Sequence, residues 1–530
     1  ADISDTDGNC ACRVESALID WPALVSALHI LQSSYSAWLL TIPGIALGML
    51  GGAIPGVSSA LILAIVLPAT LWMSLLSALI FMTAIYTGAA FGVAIPAILM
   101  GVPGSPAAVA TSFDGYPMTQ RGEHNLALGL ALAASTLGHM GAYLILFLGI
   151  GWISHAVLKL GPLEMLLLML WGLSLIAVLR GRYVSRSLLS GLIGILIATI
   201  GLSPRDVIRG TFDIPELLDG VPVVAAMIGL FAASELFNLA GASYLVQRSD
   251  LRKVSVREIA RGMLTALHHP VVILRGLVIG ATIGGLPGVG AAVCNLVSYA
   301  ETRRGDKHPE SFGKGNPKGV IAAEAGNASS EAGSMATLLA LGIPGGASSA
   351  VMLAALSLHD VTSGPQFLDS SKDIVYAIIL NNFVQGAIML VLGLGLIGLM
   401  ANVIRIPVRV LIPVILVLAT FGSYSFSGNM TGPIAMVVFG LVGWFMQRHD
   451  YSVPACVVGL ILGGKVEGAL LQTYQISGGG QISYFLGRPI AMVLLALLLF
   501  SLFSRPIMQW WRQKRATNPN PARESAVKII

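Results

Sequence analysis

The sequence is poor in charged residues. Asp, Glu, Lys and Arg make up 11% of its 530 residues, whereas soluble domains carry about 25%. None of the four occurs from Trp21 to Phe113. Because about 20 consecutive apolar residues cross a bilayer once, this stretch is long enough for more than one crossing. The composition therefore excludes an ordinary soluble domain and predicts a protein embedded in a lipid bilayer.

Signals for catalysis and for metal binding are also scarce. The motifs H-E-x-x-H and G-x-S-x-G are absent, which disfavours a membrane hydrolase. The four cysteines form no metal-ligand pattern, and the sequence leaves the role of Cys10 and Cys12 open. The net charge of +5 comes mostly from Lys and Arg in loops, so it bears on topology. We predict that the chain is not an enzyme, holds no cofactor and binds no nucleic acid.

Apolar residues are abundant and predict the fold class. The chain is 55% hydrophobic, and its apolar stretches lack the alternation that β-barrel strands show. We predict an all-α polytopic membrane protein with about a dozen transmembrane segments, some of them hairpins. The first charged loop is expected at 114–123, DGYPMTQRGE.

The distribution of charge divides the chain into five parts. The positive-inside rule places the basic C-terminal tail in the cytoplasm. The predicted parts are an N-terminal polar segment and interfacial helix at 1–36, a first membrane repeat at 37–240, a basic linker at 241–264, a second membrane repeat at 265–504 and the tail at 505–530.

Two Pro-Gly pairs interrupt the first apolar region. They lie in GGAIPGVSSA at 51–60 and in GVPGSPA at 101–107. Pro removes a backbone donor, Gly lets the chain turn, and Ser is a good N-cap for the helix that follows. Each pair therefore predicts a helix that ends, and a new helix that starts, at membrane depth.

The second half of the chain repeats this pattern in the same order. GGLPGVG at 284–290 echoes the first pair, and GIPGGASS at 342–349 echoes the second. The offset is 232 residues from Pro55 to Pro287 and 241 residues from Pro103 to Pro344. A paired repeat of broken apolar segments is the best sequence indicator of a transporter's binding site. It predicts two pseudo-symmetric, inverted repeats.

Helix starts inside a membrane favour the binding of an anion. A helix N-terminus presents free N–H groups and a partial positive charge to whatever lies opposite, and discontinuous helices of secondary transporters hold anionic substrates in this way. The alternative is helix packing through glycines, with kinks at the prolines. The predicted substrate-binding residues are Gly56, Ser58, Ser59, Gly104, Ser105, Gly288, Gly290, Gly345, Gly346 and Ser348.

A polar segment at 324–335, EAGNASSEAGSM, predicts an ion site. It places two carboxylates, an amide and several hydroxyls in an otherwise apolar region. Asn327, Ser329 and Ser330 offer the oxygens that a hard cation such as sodium accepts. The alternative is a cluster of interhelical hydrogen bonds. Glu324 is interpreted as a structural acceptor or as a proton carrier, so the coupling ion is predicted to be sodium or a proton.

Taken together, these motifs resemble one known family. The chain is similar to the large membrane subunit of the tripartite tricarboxylate transporter family from about Trp21 to Ile490. The resemblance rests on GGAIPGVSSA, GVPGSPAAVATSFDGYPMTQRG, IGGLPGVGAAVCNLVSYAE and LGIPGGASSA, in that order. It implies two partners, a small four-helix membrane subunit and a periplasmic solute-binding protein. It also implies transport driven by a sodium or proton gradient, without ATP.

The predicted function is secondary active uptake of a small organic anion, a di- or tricarboxylate or a related carboxylate, across the bacterial inner membrane. The alternative is a non-transporting membrane subunit or an anion channel. The Gly- and Pro-rich segments 84–112 and 321–349 are predicted to move, elevator-like, against a scaffold that includes 163–202 and 374–446. Rocking of one whole half against the other is the alternative mechanism.

Overall fold

The computed structural model describes residues 19–180, 184–203, 207–239, 254–287, 290–403, 408–478 and 481–516. Cys10, Cys12 and Gly288 lie outside these residues, as do parts of the predicted N-terminal segment, linker and tail. Helices dominate the described chain. Its strands form one small antiparallel pair, in which Gly201–Leu202 (β1) lies beside Ile208–Arg209 (β2).

Eleven α-helices are described before the linker. They are α1 (Trp21–Ser33), α2 (Tyr35–Gly52), α3 (Ser59–Val66), α4 (Leu75–Gly92), α5 (Ala94–Met100), α6 (Val109–Gln120), α7 (His124–Val157), α8 (Pro162–Arg180), α9 (Val184–Ala198), α10 (Val223–Ile228) and α11 (Ser234–Leu239). Short 3₁₀ turns lie at Leu67–Trp72, Pro106–Ala108 and Pro215–Leu217, and a π-helical turn at Gly229–Ala233 joins the last two helices.

Twelve α-helices follow in the second half. They are α12 (Val256–Leu267), α13 (Pro270–Gly284), α14 (Gly290–Arg304), α15 (Pro317–Leu341), α16 (Ala347–Leu358), α17 (Pro365–Ser370), α18 (Lys372–Val403), α19 (Val408–Ser427), α20 (Thr431–Arg448), α21 (Val453–Ser477), α22 (Gln481–Leu486) and α23 (Pro489–Ala516). A 3₁₀ turn lies at Pro309–Ser311, and α23 continues into the predicted tail.

Among the described residues, five stretches of helix are long and apolar enough to cross a membrane. They are Tyr35–Gly52, Leu75–Met100, His124–Val157, Lys372–Ala401 and Val453–Ser477. The pair α12 and α13 is a sixth candidate, although it is bent by 79°. Shorter apolar helices of 10–17 residues accompany them. The chain is thus an all-α membrane protein.

The predicted charged loop at 114–123 is wrong in its local structure. Helix α6 runs through most of it, and Asp114 lies buried within that helix. Its carboxylate accepts hydrogen bonds from three backbone N–H groups of the loop 313–316, at 2.7–2.9 Å, and from the Tyr299 hydroxyl at 2.9 Å. With its oxygens satisfied by distant donors, the carboxylate does not need water, so the helix can continue through it.

Glycines set the spacing of the main helix pairs. Helix α2 packs against α4, and α13 packs against α15. A Cβ added at Gly48 would lie 2.1 Å from the Ile85 carbonyl oxygen, and one added at Gly280 would lie 2.5 Å from the Gly326 oxygen. Since a real Cβ does not come so close, only glycine permits these contacts.

These glycine contacts recur at the offsets of the Pro-Gly pairs. Gly280 follows Gly48 by 232 residues, and Gly326 follows Ile85 by 241 residues. The same correspondence relates the contact Gly44–Ala84 to Gly276–Ala325 and the contact Gly92–Met49 to Gly333–Ala281. The duplicated sequence pattern therefore coincides with a duplicated packing of helices.

The two halves of the chain interlock. Helix α7 of the first half packs along α15 of the second, and α4 of the first half packs against α18 of the second. At Gly138 of α7 the approach is so close that an added Cβ would lie 2.7 Å from the Ala325 carbonyl oxygen. One buried hydrophobic cluster accordingly contains residues of both halves, such as Leu63 and Leu353.

Candidate functional site

Three of the four Pro-Gly pairs lie in gaps between helices, as predicted, and Pro287 of the remaining pair follows the end of α13. We call the gaps break 1 (53–58), break 2 (101–105), break 3 (285–289, described to 287) and break 4 (342–346). Breaks 2 and 4 begin alike, because Gly101 and Gly342 end their helices with φ of +70° and +67°. This left-handed conformation suits glycine and closes a helix C-terminus.

Breaks 1 and 2 are in direct contact, and the helix that follows break 1 contacts the helix that follows break 4. The backbone N–H of Gly56 donates to the Gly104 carbonyl oxygen at 3.2 Å, which joins breaks 1 and 2. Just beyond break 1, the Ser59 hydroxyl lies 2.7 Å from the Ser348 hydroxyl in the first turn of α16. That bond joins α3, which follows the first break of one half, to α16, which follows the second break of the other half.

Breaks 3 and 4 meet at α8 and α15. A Cβ added at Gly172 of α8 would lie 2.7 Å from Pro287 in break 3 and 3.4 Å from Ile343 in break 4. On α15, the Ser334 hydroxyl donates to the Gly284 carbonyl oxygen at the edge of break 3, at 3.1 Å. The four breaks thus form one continuous region of the structure.

The serines and glycines of this region cap the new helices. The Ser58 hydroxyl accepts the N–H of Leu61 at 3.3 Å, and that of Ser105 accepts the N–H of Ala107 at 3.3 Å. The Gly346 N–H donates to the Ser349 hydroxyl at 2.8 Å.

Exposure differs among the predicted substrate-binding residues. Gly56 is exposed; Ser58, Ser59 and Ser105 are half-buried; Gly104, Gly290, Gly345, Gly346 and Ser348 are buried. Gly290 begins α14 with φ of +64°. The half-buried serines leave the region partly accessible from outside the helices.

The three predicted ion-binding residues lie on α15 but face different neighbours. The Asn327 amide donates to the Ala90 carbonyl oxygen of α4 at 2.9 Å. The Ser329 hydroxyl faces α13, where the Gly276 oxygen lies at 3.3 Å, and donates to its own helix at 2.6 Å. The Ser330 hydroxyl donates to the Asn327 oxygen at 2.6 Å. The hydroxyl protons of both serines are therefore used within α15.

Glu324 lies at the centre of a satisfied buried network. One of its carboxylate oxygens accepts the Thr111 hydroxyl of α6, and the other accepts the Ser135 hydroxyl of α7 at 2.9 Å. The Asn295 amide of α14 donates to the Thr111 hydroxyl oxygen at 3.3 Å. Four helices meet here, and each oxygen of Glu324 has a donor, as a structural acceptor requires.

A second buried carboxylate belongs to Glu331, to which the sequence analysis gave no role of its own. Its Oε1 accepts the Thr87 hydroxyl at 3.0 Å and the Tyr143 hydroxyl at 3.3 Å. Its Oε2 lies 3.6 Å from Nδ1 of His139, and both side chains are buried to within 1%. The Gln385 amide oxygen accepts the Thr87 hydroxyl as well, at 3.1 Å. The sequence contains one indication of this site: His139 and Tyr143 are four residues apart and so lie on one face of a helix.

A basic cavity of about 560 Å³ opens at the N-terminal end of α15, and its Asp306 lies outside the candidate membrane spans. Its lining includes Arg121, His269, Lys314 and Lys318, together with Asp306. The Lys318 ammonium lies 2.6 Å from an Asp306 carboxylate oxygen, and this hydrogen bond holds the pKa of Asp306 below its usual value. The remaining cations give the cavity an excess of positive charge.

Comparison with known proteins identifies the family. The family model described as "Tripartite tricarboxylate transporter TctA family" matches residues 38–458. The chain belongs to this family. An uncharacterized 52.8 kDa protein in the TAR-I ttuC′ 3′ region of Agrobacterium vitis is 32% identical to it over 463 residues, which are 86% of this chain and 90% of that protein.

A second, shorter relative is an uncharacterized protein in the TAR-II ttuC′ 3′ region of Agrobacterium vitis. It is also 32% identical, over 218 residues that are 41% of this chain and 90% of that protein. No solved structure matches the chain. The motif-based resemblance is confirmed, and all four breaks lie within the matched residues. By family, the chain is a component of a tricarboxylate transporter.

Proposed function

We propose that the chain is the translocating subunit of a secondary transporter that takes up a small di- or tricarboxylate, or a related carboxylate, across the bacterial inner membrane. We propose that the chain crosses the membrane about a dozen times, in two inverted repeats. The observation that supports this most is the continuity of the four breaks, since each half contributes two of them to one region.

The chemistry of the breaks suits a carboxylate. New helices begin beside three of them, at Ser59, Gly290 and Ala347, and a helix start offers unpaired N–H groups and a partial positive charge. The predicted substrate-binding residues supply small side chains and hydroxyls, so the backbone can approach the substrate closely. We propose that these helix starts meet near the middle of the membrane.

The family suggests two protein partners. We propose that a small four-helix membrane subunit binds the scaffold helices and that a periplasmic solute-binding protein delivers the anion. Selection of the substrate would then be divided between the binding protein and the breaks.

The coupling ion is proposed to be sodium or a proton. A sodium ion would use the Asn327 carbonyl oxygen, the hydroxyl oxygens of Ser329 and Ser330 and nearby backbone carbonyls. A proton would use a buried carboxylate. If sodium is the coupling ion, a sodium gradient alone should drive uptake. If the proton is the coupling ion, a pH gradient alone should drive it.

An elevator-like movement fits the position of the breaks. The segments 84–112 and 321–349 include breaks 2 and 4 and pack through glycines, which allow close sliding contacts. The scaffold would include 163–202 and 374–446. Movement of one block past the other exposes a single site to each side of the membrane in turn.

Uptake into proteoliposomes tests the proposal. Vesicles containing both membrane subunits, supplied with the binding protein and a radiolabelled carboxylate, should show saturable uptake that requires an ion gradient. Flux that neither saturates nor needs a gradient would indicate a channel. No flux with any carboxylate, in vesicles that contain the assembled complex, would indicate a non-transporting subunit.

A further inference from the structure

His139 and Glu331 form an incomplete polar pair inside the protein. His139 lies on α7 and Glu331 on α15, with Nδ1 and Oε2 3.6 Å apart. Neither of these two buried atoms has a hydrogen-bond partner among the described residues. A buried polar atom without a partner destabilises the fold, so two such atoms facing each other call for an explanation.

The neighbouring contacts determine where the histidine carries its hydrogen. Nε2 of His139 lies 2.9 Å from the Asn382 carbonyl oxygen on α18. A carbonyl oxygen only accepts, so Nε2 carries a hydrogen. When the imidazole is neutral, Nδ1 then presents a lone pair to the carboxylate oxygen of Glu331. Nδ1 of His139 and Oε2 of Glu331 are then two acceptors that repel each other. One proton added to either atom makes it a donor, and the two atoms attract each other.

The surrounding groups do not replace that proton. From α4 and α7, the hydroxyls of Thr87 and Tyr143 donate to the other oxygen of Glu331. From α18, Gln385 is neutral and bonds with Thr87. Tyr86 of α4 is the other titratable side chain that interacts electrostatically with Tyr143. Among the described residues, His139 is the ion-pair partner that the protein provides for Glu331.

The pair crosses the proposed boundary between moving and static helices. Glu331 lies in the segment 321–349, which is proposed to move, and Thr87 lies in the moving segment 84–112. The Asn382 carbonyl that orients His139 belongs to the scaffold segment 374–446. We assign α7 to the static block on the basis of this contact with α18, so a shift of α15 past α7 and α18 separates the carboxylate from the imidazole.

We propose that His139 and Glu331 together bind one transported proton, and that the proton holds the two blocks of helices in the arrangement seen here. The proton comes from water on one side, sits between the neutral imidazole and the carboxylate, and leaves to water on the other side after the pair separates. Without it, the facing acceptors repel and the joined arrangement is disfavoured. This inference rests on the proposed function, and it selects the proton as a coupling ion.

Comparing exchange with accumulation tests the inference. The wild-type complex in proteoliposomes should accumulate substrate under an imposed pH gradient, and a pH dye inside the vesicles should report proton entry with the substrate. E331Q resembles the protonated side chain. We expect E331Q to lose accumulation at least tenfold while exchange of substrate, with equal concentrations on both sides, stays within about twofold. H139Q should lose accumulation in the same way.

Matched controls sharpen the test. H155Q alters an exposed histidine of the same helix and should accumulate like the wild type. E324Q alters the other buried carboxylate of α15. If E324Q loses accumulation and E331Q keeps it, the proton site has been misplaced.

Other outcomes are equally informative. Wild-type uptake that brings in no proton would overturn the inference without the need for any variant. Loss of exchange in an E331Q complex that melts at the wild-type temperature would also overturn it, because Glu331 would then be needed for movement itself. A wild-type complex that shows no exchange would contradict the proposed function instead.

Discussion

Ser58 shows how one side chain can be tested without removing its structural role. Its hydroxyl caps α3 by accepting the N–H of Leu61. Asp is as good an N-cap as Ser, so Ser58→Asp keeps the cap and adds a fixed negative charge at the end of break 1. That charge should repel a carboxylate substrate and raise the KM for uptake at least about tenfold, or about 1.4 kcal/mol.

The matched control for Ser58→Asp is Ser74→Asp. Ser74 caps α4 in the same way, by accepting the N–H of Ser77, but it lies outside the four breaks. Its replacement should leave the KM unchanged. Equal uptake kinetics for both variants and the wild type would remove Ser58 from the substrate site.

Asn327 tests the alternative coupling ion. If sodium is held by Asn327, Ser329 and Ser330, Asn327→Ala should raise the sodium concentration needed for half-maximal uptake at least about tenfold, because a ligand oxygen is lost. Ser357→Ala removes a hydroxyl that donates to its own helix elsewhere and should leave this value unchanged. Uptake that ignores sodium and follows only a pH gradient would rule the sodium site out.

At the scale of elements, the glycine contacts predict a paired effect on stability. Gly48→Ala places a Cβ against the Ile85 oxygen, and Gly280→Ala places one against the Gly326 oxygen. Overpacking against a rigid backbone costs up to about 3 kcal/mol, which exceeds the gain of about 1 kcal/mol for Ala over Gly in a helix. Both variants should therefore melt at a lower temperature than the wild type in detergent.

Gly398→Ala on α18 is the control for these two variants. Nothing lies within 4 Å of a Cβ added at Gly398. Its melting temperature should equal or exceed that of the wild type. If Gly48→Ala and Gly280→Ala also melt no lower than the wild type, the helix pairs can move apart at little cost, and glycine does not fix their spacing.

The helix breaks could be predicted from sequence because their cause is local. Proline, glycine and serine dictate turns and caps within a few residues, so the gaps around Pro55 and Pro344 were found where expected. The helix through Asp114 and the pairing of His139 with Glu331 have distant causes. Asp114 finds its donors about 200 residues later, and His139 meets a carboxylate 192 residues away. No short pattern records such contacts.

At the scale of the whole molecule, the contact between α8 and break 4 permits a test of the moving block. Gly172 lies in the proposed scaffold segment 163–202 and Ile343 in the proposed moving segment 321–349, and a Cβ added at Gly172 would lie 3.4 Å from Ile343. A disulfide between Gly172→Cys and Ile343→Cys should hold the complex in one arrangement and stop uptake. A reductant should restore uptake.

The single variants serve as controls for this disulfide. Gly172→Cys alone reveals any effect of crowding Pro287, and Ile343→Cys alone reveals the loss of the isoleucine. Both should transport in the absence of the link. Normal transport by the linked protein would show that the two segments travel together and that the assignment of blocks is wrong.

The hydrogen bonds of Asp114 also constrain how the protein is made. Its three backbone donors are 199–202 residues further along the chain. At about 5–20 residues per second of synthesis, these donors emerge about 10–40 s after Asp114 itself. During that interval Asp114 has already been synthesised, but the backbone donors that will bind its carboxylate have not. The first half therefore cannot finish folding until residues 313–316 of the second half have been synthesised. The order in which the parts of the protein assemble thus differs from their order along the chain.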